Sequence, residues 1–128
     1  MKVSVRLKQI DRISGKETIL VQGPGLLNGN RLLYPESSHA VQSVTFDDEE
    51  IILERKADVV SRTVLRKRGR GKSFIDSEYG RLELETELSR YEKNDTVWLV
   101  EYRVLSGDEP VLDQILIWET GPAGPAAR

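Results

Sequence analysis

Arg81-Leu82-Glu83-Leu84-Glu85-Thr86-Glu87-Leu88 decides the fold of this chain. Its strict period of two puts Leu82, Leu84, Thr86 and Leu88 on one face and only charges on the other. Many of these residues favour helices, yet an apolar side chain at every second position is the mark of a half-buried β-strand. Upstream, a second alternating run begins at Val59, and between the two lies the basic segment Arg66-Lys67-Arg68-Gly69-Arg70-Gly71-Lys72. The two runs therefore read as strands around a hairpin.

The same pattern extends over the rest of the chain. Turn chemistry recurs at Ser14-Gly15-Lys16, Gln22-Gly23-Pro24-Gly25, Asn28-Gly29-Asn30, Asp47-Asp48, Lys56-Ala57-Asp58, Asn94-Asp95 and Ser106-Gly107-Asp108. The runs between are rich in Val, Ile, Leu, Thr and aromatics, as expected of a meandering antiparallel sheet. This spacing predicts eleven strands near 2–10, 17–22, 25–28, 31–36, 39–46, 50–55, 58–66, 72–78, 80–91, 96–105 and 111–119. Asn28-Gly29 is the sharpest turn signal, because both residues tolerate positive φ and suit a tight hairpin. So many sequential strands must hide their edges, and closure into an up-and-down barrel does so with short turns; a sandwich is the main rival.

A length of 128 residues fits one domain that buries roughly two thirds of its unfolded surface. The expected division is one barrel domain over 1–120 and a disordered tail over 121–128, Gly-Pro-Ala-Gly-Pro-Ala-Ala-Arg. Hydrophobic residues make up 38% and charged residues 31%, which excludes a disordered chain, and no apolar run is long enough for a membrane span. The alternating start Met1-Lys2-Val3-Ser4-Val5 lacks the apolar core of a secretory signal, so a cytoplasmic protein is expected. A net charge of -2 gives no global attraction to nucleic acid or anionic membrane.

Period two also assigns faces. Trp98, Val100, Tyr102 and Val104 share an inner face, as do Ala40, Gln42, Val44 and Phe46, and then Ile51, Leu53 and Arg55. An amide and a guanidinium pointing inward need partners, and Glu36 is placed to pair with Arg55. Two readings of this set stand: an internal ion pair near a barrel mouth, or an anion site in a mostly apolar pocket.

Catalytic signatures are weak. Gly71-Lys72-Ser73 resembles the end of a phosphate loop, but Arg66 occupies the position of its first glycine and a strand follows instead of a helix. His39 is the only histidine and there is no cysteine, so neither a metal site nor a nucleophilic triad can be assembled, and no cofactor is implied. Arg66, Lys67, Arg68, Arg70 and Lys72 could grip phosphates. Without interleaved aromatics they read better as a solvated hairpin than as a nucleic-acid site.

Ile51-Ile52-Leu53-Glu54-Arg55 with its hairpin, and Ser77-Glu78-Tyr79-Gly80-Arg81-Leu82-Glu83-Leu84-Glu85-Thr86, resemble the core of the YwiB-like family of bacterial domains of unknown function. The resemblance matches Glu36 after an early strand, Arg55 ending the strand before the hairpin, and Tyr79-Gly80 with Thr86 in the alternating strand. Ala57, Ile75 and Ser77 depart from the family pattern. The resemblance implies a calycin-type, lipocalin-like β-barrel and no established activity.

The expected function is thus binding of a small amphipathic, acidic ligand inside the barrel. Trp98, Tyr102, Val44 and Phe46 would supply apolar contacts, and Arg55, with Glu36 and Gln42, the polar end. The alternative is a side-chain-filled barrel that serves as an interaction module through an edge strand or the basic hairpin. An enzymatic role would rest on Glu36 tuned by Arg55, and ranks last.

Overall fold

Ten strands and no helix make up residues 1–123, the part of the chain described by the computed structural model. They are β1 (Lys2–Asp11), β2 (Glu17–Asn28), β3 (Arg31–Ser37), β4 (Ala40–Phe46) and β5 (Glu50–Lys56), then β6 (Val60–Arg66), β7 (Gly71–Ser77), β8 (Gly80–Lys93), β9 (Val97–Ser106) and β10 (Glu109–Pro122). Each pairs antiparallel with the next, and β10 returns to β1 in the register Val3↔Pro122 through Asp11↔Gln114. The sheet is a closed up-and-down barrel, so the sandwich is excluded. Among the described residues no helix is long and apolar enough to cross a membrane.

The barrel follows from period two. Val3, Val5 and Leu7 of β1, Trp98, Val100, Tyr102 and Val104 of β9, and Leu116 and Trp118 of β10 are buried inward at alternate positions. The Asn28-Gly29 hairpin forms as read, with Leu26 opposite Leu33, Leu27 opposite Leu32 and Gly29 at φ +61°. Thr86, on the inner face of the deciding stretch, is fully buried and donates to the Val64 carbonyl oxygen at 2.6 Å.

Two boundaries differ from the sequence reading. The expected strands 17–22 and 25–28 are one strand, β2, which runs straight through Gln22-Gly23-Pro24-Gly25. Pro24 sits opposite Ser4 of β1, and β3 joins β2 only from Leu26 onward, so β2 has one neighbour here and a proline breaks no second ladder. Gly25 is needed for closeness: a Cβ there would lie 2.5 Å from Val5 Cγ2 and 3.1 Å from the Leu33 carbonyl oxygen. The second difference is at the C-terminus, where β10 continues through Gly121 and Pro122, past the expected limit of 120. The rest of the expected tail, 124–128, lies outside the described residues.

Because the β2–β3 ladder has only three pairs, the wall carries a seam between the first part of β2 and the end of β3. The seam runs towards one end of the barrel, the end formed by the turns at 11–17, 37–40, 56–60, 77–80 and 106–109.

Candidate functional site

The two ends of the barrel differ in how they are filled. Towards the end formed by the turns near 29, 48, 68 and 95, Val44, Phe46, Ile51, Leu65, Trp98 and Val100 are packed together. Phe46 meets Trp98 edge-on with centroids 5.2 Å apart, and the Lys93 ammonium lies 4.8 Å over the Trp98 ring. This half is plugged by its own side chains. Val44, Phe46 and Trp98, read from sequence as walls of a ligand site, belong to that plug.

At the opposite end the interior opens into a cavity of about 150 Å³. Its floor is Leu53, Leu116 and Trp118, its polar side is Tyr34, Gln42, Arg55, Ser61, Thr63 and Tyr102, and Ser43 and Glu54 complete the lining. Four of the seven residues expected at a ligand site therefore meet here: Gln42, Arg55 and Tyr102 on the wall, and Glu36 bonded to two of them. Strand register brings them together, with Gln42 opposite both Tyr34 in β3 and Arg55 in β5, and Arg55 opposite Ser61 in β6.

A continuous hydrogen-bond chain organises the polar side. Arg55 donates to the Glu36 carboxylate from Nη2 at 2.7 Å and from Nε at 3.2 Å, and Gln42 Nε2 donates to the same carboxylate at 2.6 Å. Tyr34 donates its hydroxyl to Gln42 Oε1 at 2.9 Å, and Trp118 Nε1 donates to the Tyr34 hydroxyl at 2.8 Å. On the far wall Gln114 donates to the Tyr102 hydroxyl at 2.7 Å and accepts from Gln9, while Thr63 and Ser73 share a 2.9 Å bond. No buried side-chain polar atom among the described residues lacks a partner.

These contacts set the protonation states. The Arg55 guanidinium holds the Glu36 carboxyl below its ordinary range, against a smaller opposing effect of burial, so the pair is ionised near neutrality. Burial pushes the Tyr102 hydroxyl up to about 12 and raises that of Tyr34 further, which keeps both hydroxyls neutral. The site thus presents one ion pair, uncharged hydroxyls and an apolar floor. Among the described residues no cluster of His, Asp or Glu could hold a metal.

Tyr34, Trp118 and Gln114 were not read from sequence as site residues. The signal for Tyr34 was its place two residues before Glu36, on the same face of one strand. Trp118 and Gln114 share a face with Leu116 by the same rule; Gln114 meets Tyr102 as its register partner in the β9–β10 ladder, whereas the meeting of Trp118 with Tyr34 depends on closure of β10 onto β1.

Two of the five cations of the basic hairpin are paired with carboxylates. Arg70 pairs with Glu85 at 3.3 Å and Asp108 at 3.3 Å, Lys72 pairs with Glu83 at 3.2 Å, and Lys67 lies 4.8 Å over the Tyr91 ring. Arg66 and Arg68 have no ion pair among the described residues. A larger concavity, about 660 Å³, lies on the outside of the seam between Pro24, Leu26, Leu33, Pro35 and Val41. Apart from Lys2 and Ser4 its lining carries no polar side chain, so it offers little chemistry.

The model of a family described as "Domain of unknown function (DUF1934)" matches residues 3–116. Among solved structures, the ywiB protein from Bacillus subtilis is similar at 13% identity and a TM-score of 0.61, over 94% of this chain and 92% of that one. At that identity the likeness is one of fold, and it agrees with the YwiB-like resemblance seen in the sequence. No curated protein matches the chain.

Proposed function

This chain belongs to the DUF1934 family, whose description carries no activity, and from its barrel we propose that it binds a small amphipathic molecule at the open end. The observation that carries the reading is the 150 Å³ interior cavity, apolar at its floor and lined on one side by Arg55 and neutral hydroxyls. Its size narrows the ligand. Pockets for drug-sized molecules run to about 300–1,000 Å³, whereas about 150 Å³ accommodates a benzene-sized group. The calycin-type kinship implied by the sequence resemblance fits this reading.

The alternative, an interaction module that grips nucleic acid at 66–72, draws less support. Carboxylates already engage Arg70 and Lys72, and exposed pairs of this kind leave little net field for phosphates.

Native mass spectrometry of freshly purified protein tests the binding role. The expected result is a retained adduct no larger than benzoate, lost on denaturation and lost in a folded Thr63→Leu variant whose added side chain fills the cavity. An adduct that survives in Thr63→Leu places binding elsewhere. If no adduct is retained and no small aromatic or aliphatic fragment perturbs the Trp118 indole resonance, the reading falls.

A further inference from the structure

The open-end cavity already has a carboxylate where the charge of a ligand would sit, and the donors and the acceptor of that arrangement are held very differently. Gln42 and Arg55 face each other in the β4–β5 ladder, and each also has a register partner on its other side, Tyr34 in β3 and Ser61 in β6. Both are fixed by backbone on two sides. Glu36 is fixed on neither. The β3–β4 register jumps from Pro35↔Val41 to Ser37↔Ala40 and leaves Glu36 in a bulge, while the β2–β3 ladder ends at Leu26↔Leu33. Its carboxylate is held in place by side-chain bonds to Arg55 and Gln42, and that side chain is 29% exposed at the lip of the barrel.

Donors whose backbone is paired on both sides, facing an acceptor whose backbone is paired on neither, form an exchangeable site. Resting on the reading that the cavity takes a ligand, we propose that Arg55 and Gln42 form a receptor for the carboxylate of a small monocarboxylic acid, and that Glu36 is its built-in occupant, displaced when the acid binds. The hydrocarbon part of the acid then lies on Leu53, Leu116 and Trp118, and Glu36 moves out into water.

Charge accounting selects this class. Exchange of one carboxylate for another keeps Arg55 paired and leaves no charge buried alone. Among the described residues Arg55 is the only Lys or Arg lining the cavity, so a second negative charge on a dicarboxylate or a phosphate dianion has no partner there. An uncharged ligand gains nothing by displacing Glu36. Among the described residues none accepts from Arg55 Nη1, which gives the incoming carboxylate a first point of contact before Glu36 leaves.

The internal occupant lowers the apparent affinity by the fraction of time that the donors are free. If they are free for about a tenth of the time or less, removal of the Glu36 charge tightens binding by at least about tenfold. The test is an NMR titration of the full chain with butyrate, benzoate and the uncharged isostere benzamide, followed at the Trp118 indole N–H, which reports on Gln42 through Tyr34. Wild type, Glu36→Gln, Arg55→Ala and Asp58→Asn are compared. Asp58→Asn removes an exposed charge near Arg55 that does not line the cavity and, among the described residues, frees no donor, and spectral dispersion verifies that each variant is folded.

The expected result is saturable binding of both carboxylates to wild type, at least tenfold tighter binding to Glu36→Gln, unchanged affinity in Asp58→Asn, and loss in Arg55→Ala. Equal tightening in Glu36→Gln and Asp58→Asn would mean that long-range charge acts in place of displacement, and overturns the proposal. Benzamide binding wild type as well as benzoate would overturn the ligand class while the binding role of the cavity stands. If none of the three probes moves the indole resonance in any folded variant, both fall together.

Discussion

At the residue scale, Gly69 and Gly71 look alike in the sequence, two glycines in one basic hairpin, yet they answer different demands. Gly69 turns the chain at φ +74°, with open space around it. Gly71 is there for contact: a Cβ would lie 2.0 Å from the Val64 carbonyl oxygen and 2.8 Å from Thr86 Oγ1, the two atoms joined by the buried Thr86 bond. Gly71→Ala is therefore expected to cost at least about 3 kcal/mol, overpacking added to a strained buried hydrogen bond. Gly29→Ala meets nothing within 4 Å, and its cost is the left-handed backbone alone, about 1–2 kcal/mol. Urea unfolding of both variants checks the difference; equal losses would show that contact plays no part at Gly71. Sequence reading could place these glycines in or beside turns. It could not separate them, because the neighbour that crowds Gly71 comes from β6 and the threonine from β8.

At the element scale, alternation made most strands legible, since half-buried strands write their inner face directly into the sequence. The exception was β2, where Gln22-Gly23-Pro24-Gly25 has the composition of a turn and the structure of a strand. Gly and Pro mark turns when both sides of a strand must be paired; beside a seam, proline is tolerated and glycine makes room for Val5 and Tyr34. The seam has a dynamic consequence. Along its first part β2 is paired on one side only, while β9 is flanked along nearly its whole length by β8 and β10. Amides of β2 between Glu17 and Gly23 that point into the seam are expected to exchange with solvent at least about a hundredfold faster than those of Trp98–Val104, because local opening there breaks few contacts. Native-state hydrogen exchange resolved by residue measures this, and equal protection in the two strands would show that the seam is closed in solution.

At the scale of the whole molecule, the barrel has two halves that are filled differently. Alternation told which residues face inward, but it could not tell which inward residues pack against each other and which line a space, since that depends on how side chains from opposite walls meet across the lumen. Arg55, Glu36, Gln42 and Tyr102 fell at the open end; Val44, Phe46 and Trp98, indistinguishable from cavity walls by sequence, fell in the plug. Stability and ligand binding should therefore separate along the barrel axis. Phe46→Ala removes a buried ring in contact with Trp98 and is expected to cost about 3–5 kcal/mol of unfolding free energy, while the affinity of the folded protein for benzoate stays the same. Arg55→Ala breaks an ion pair whose arginine side chain is 41% exposed, so its effect on stability is expected to stay within about 1 kcal/mol, while benzoate binding is lost. Urea unfolding and the indole titration, run on both variants, form a two-by-two comparison. If Phe46→Ala weakened benzoate binding as much as Arg55→Ala does, the plug and the cavity would be one coupled unit, and the division of the barrel into a structural half and a binding half would not hold.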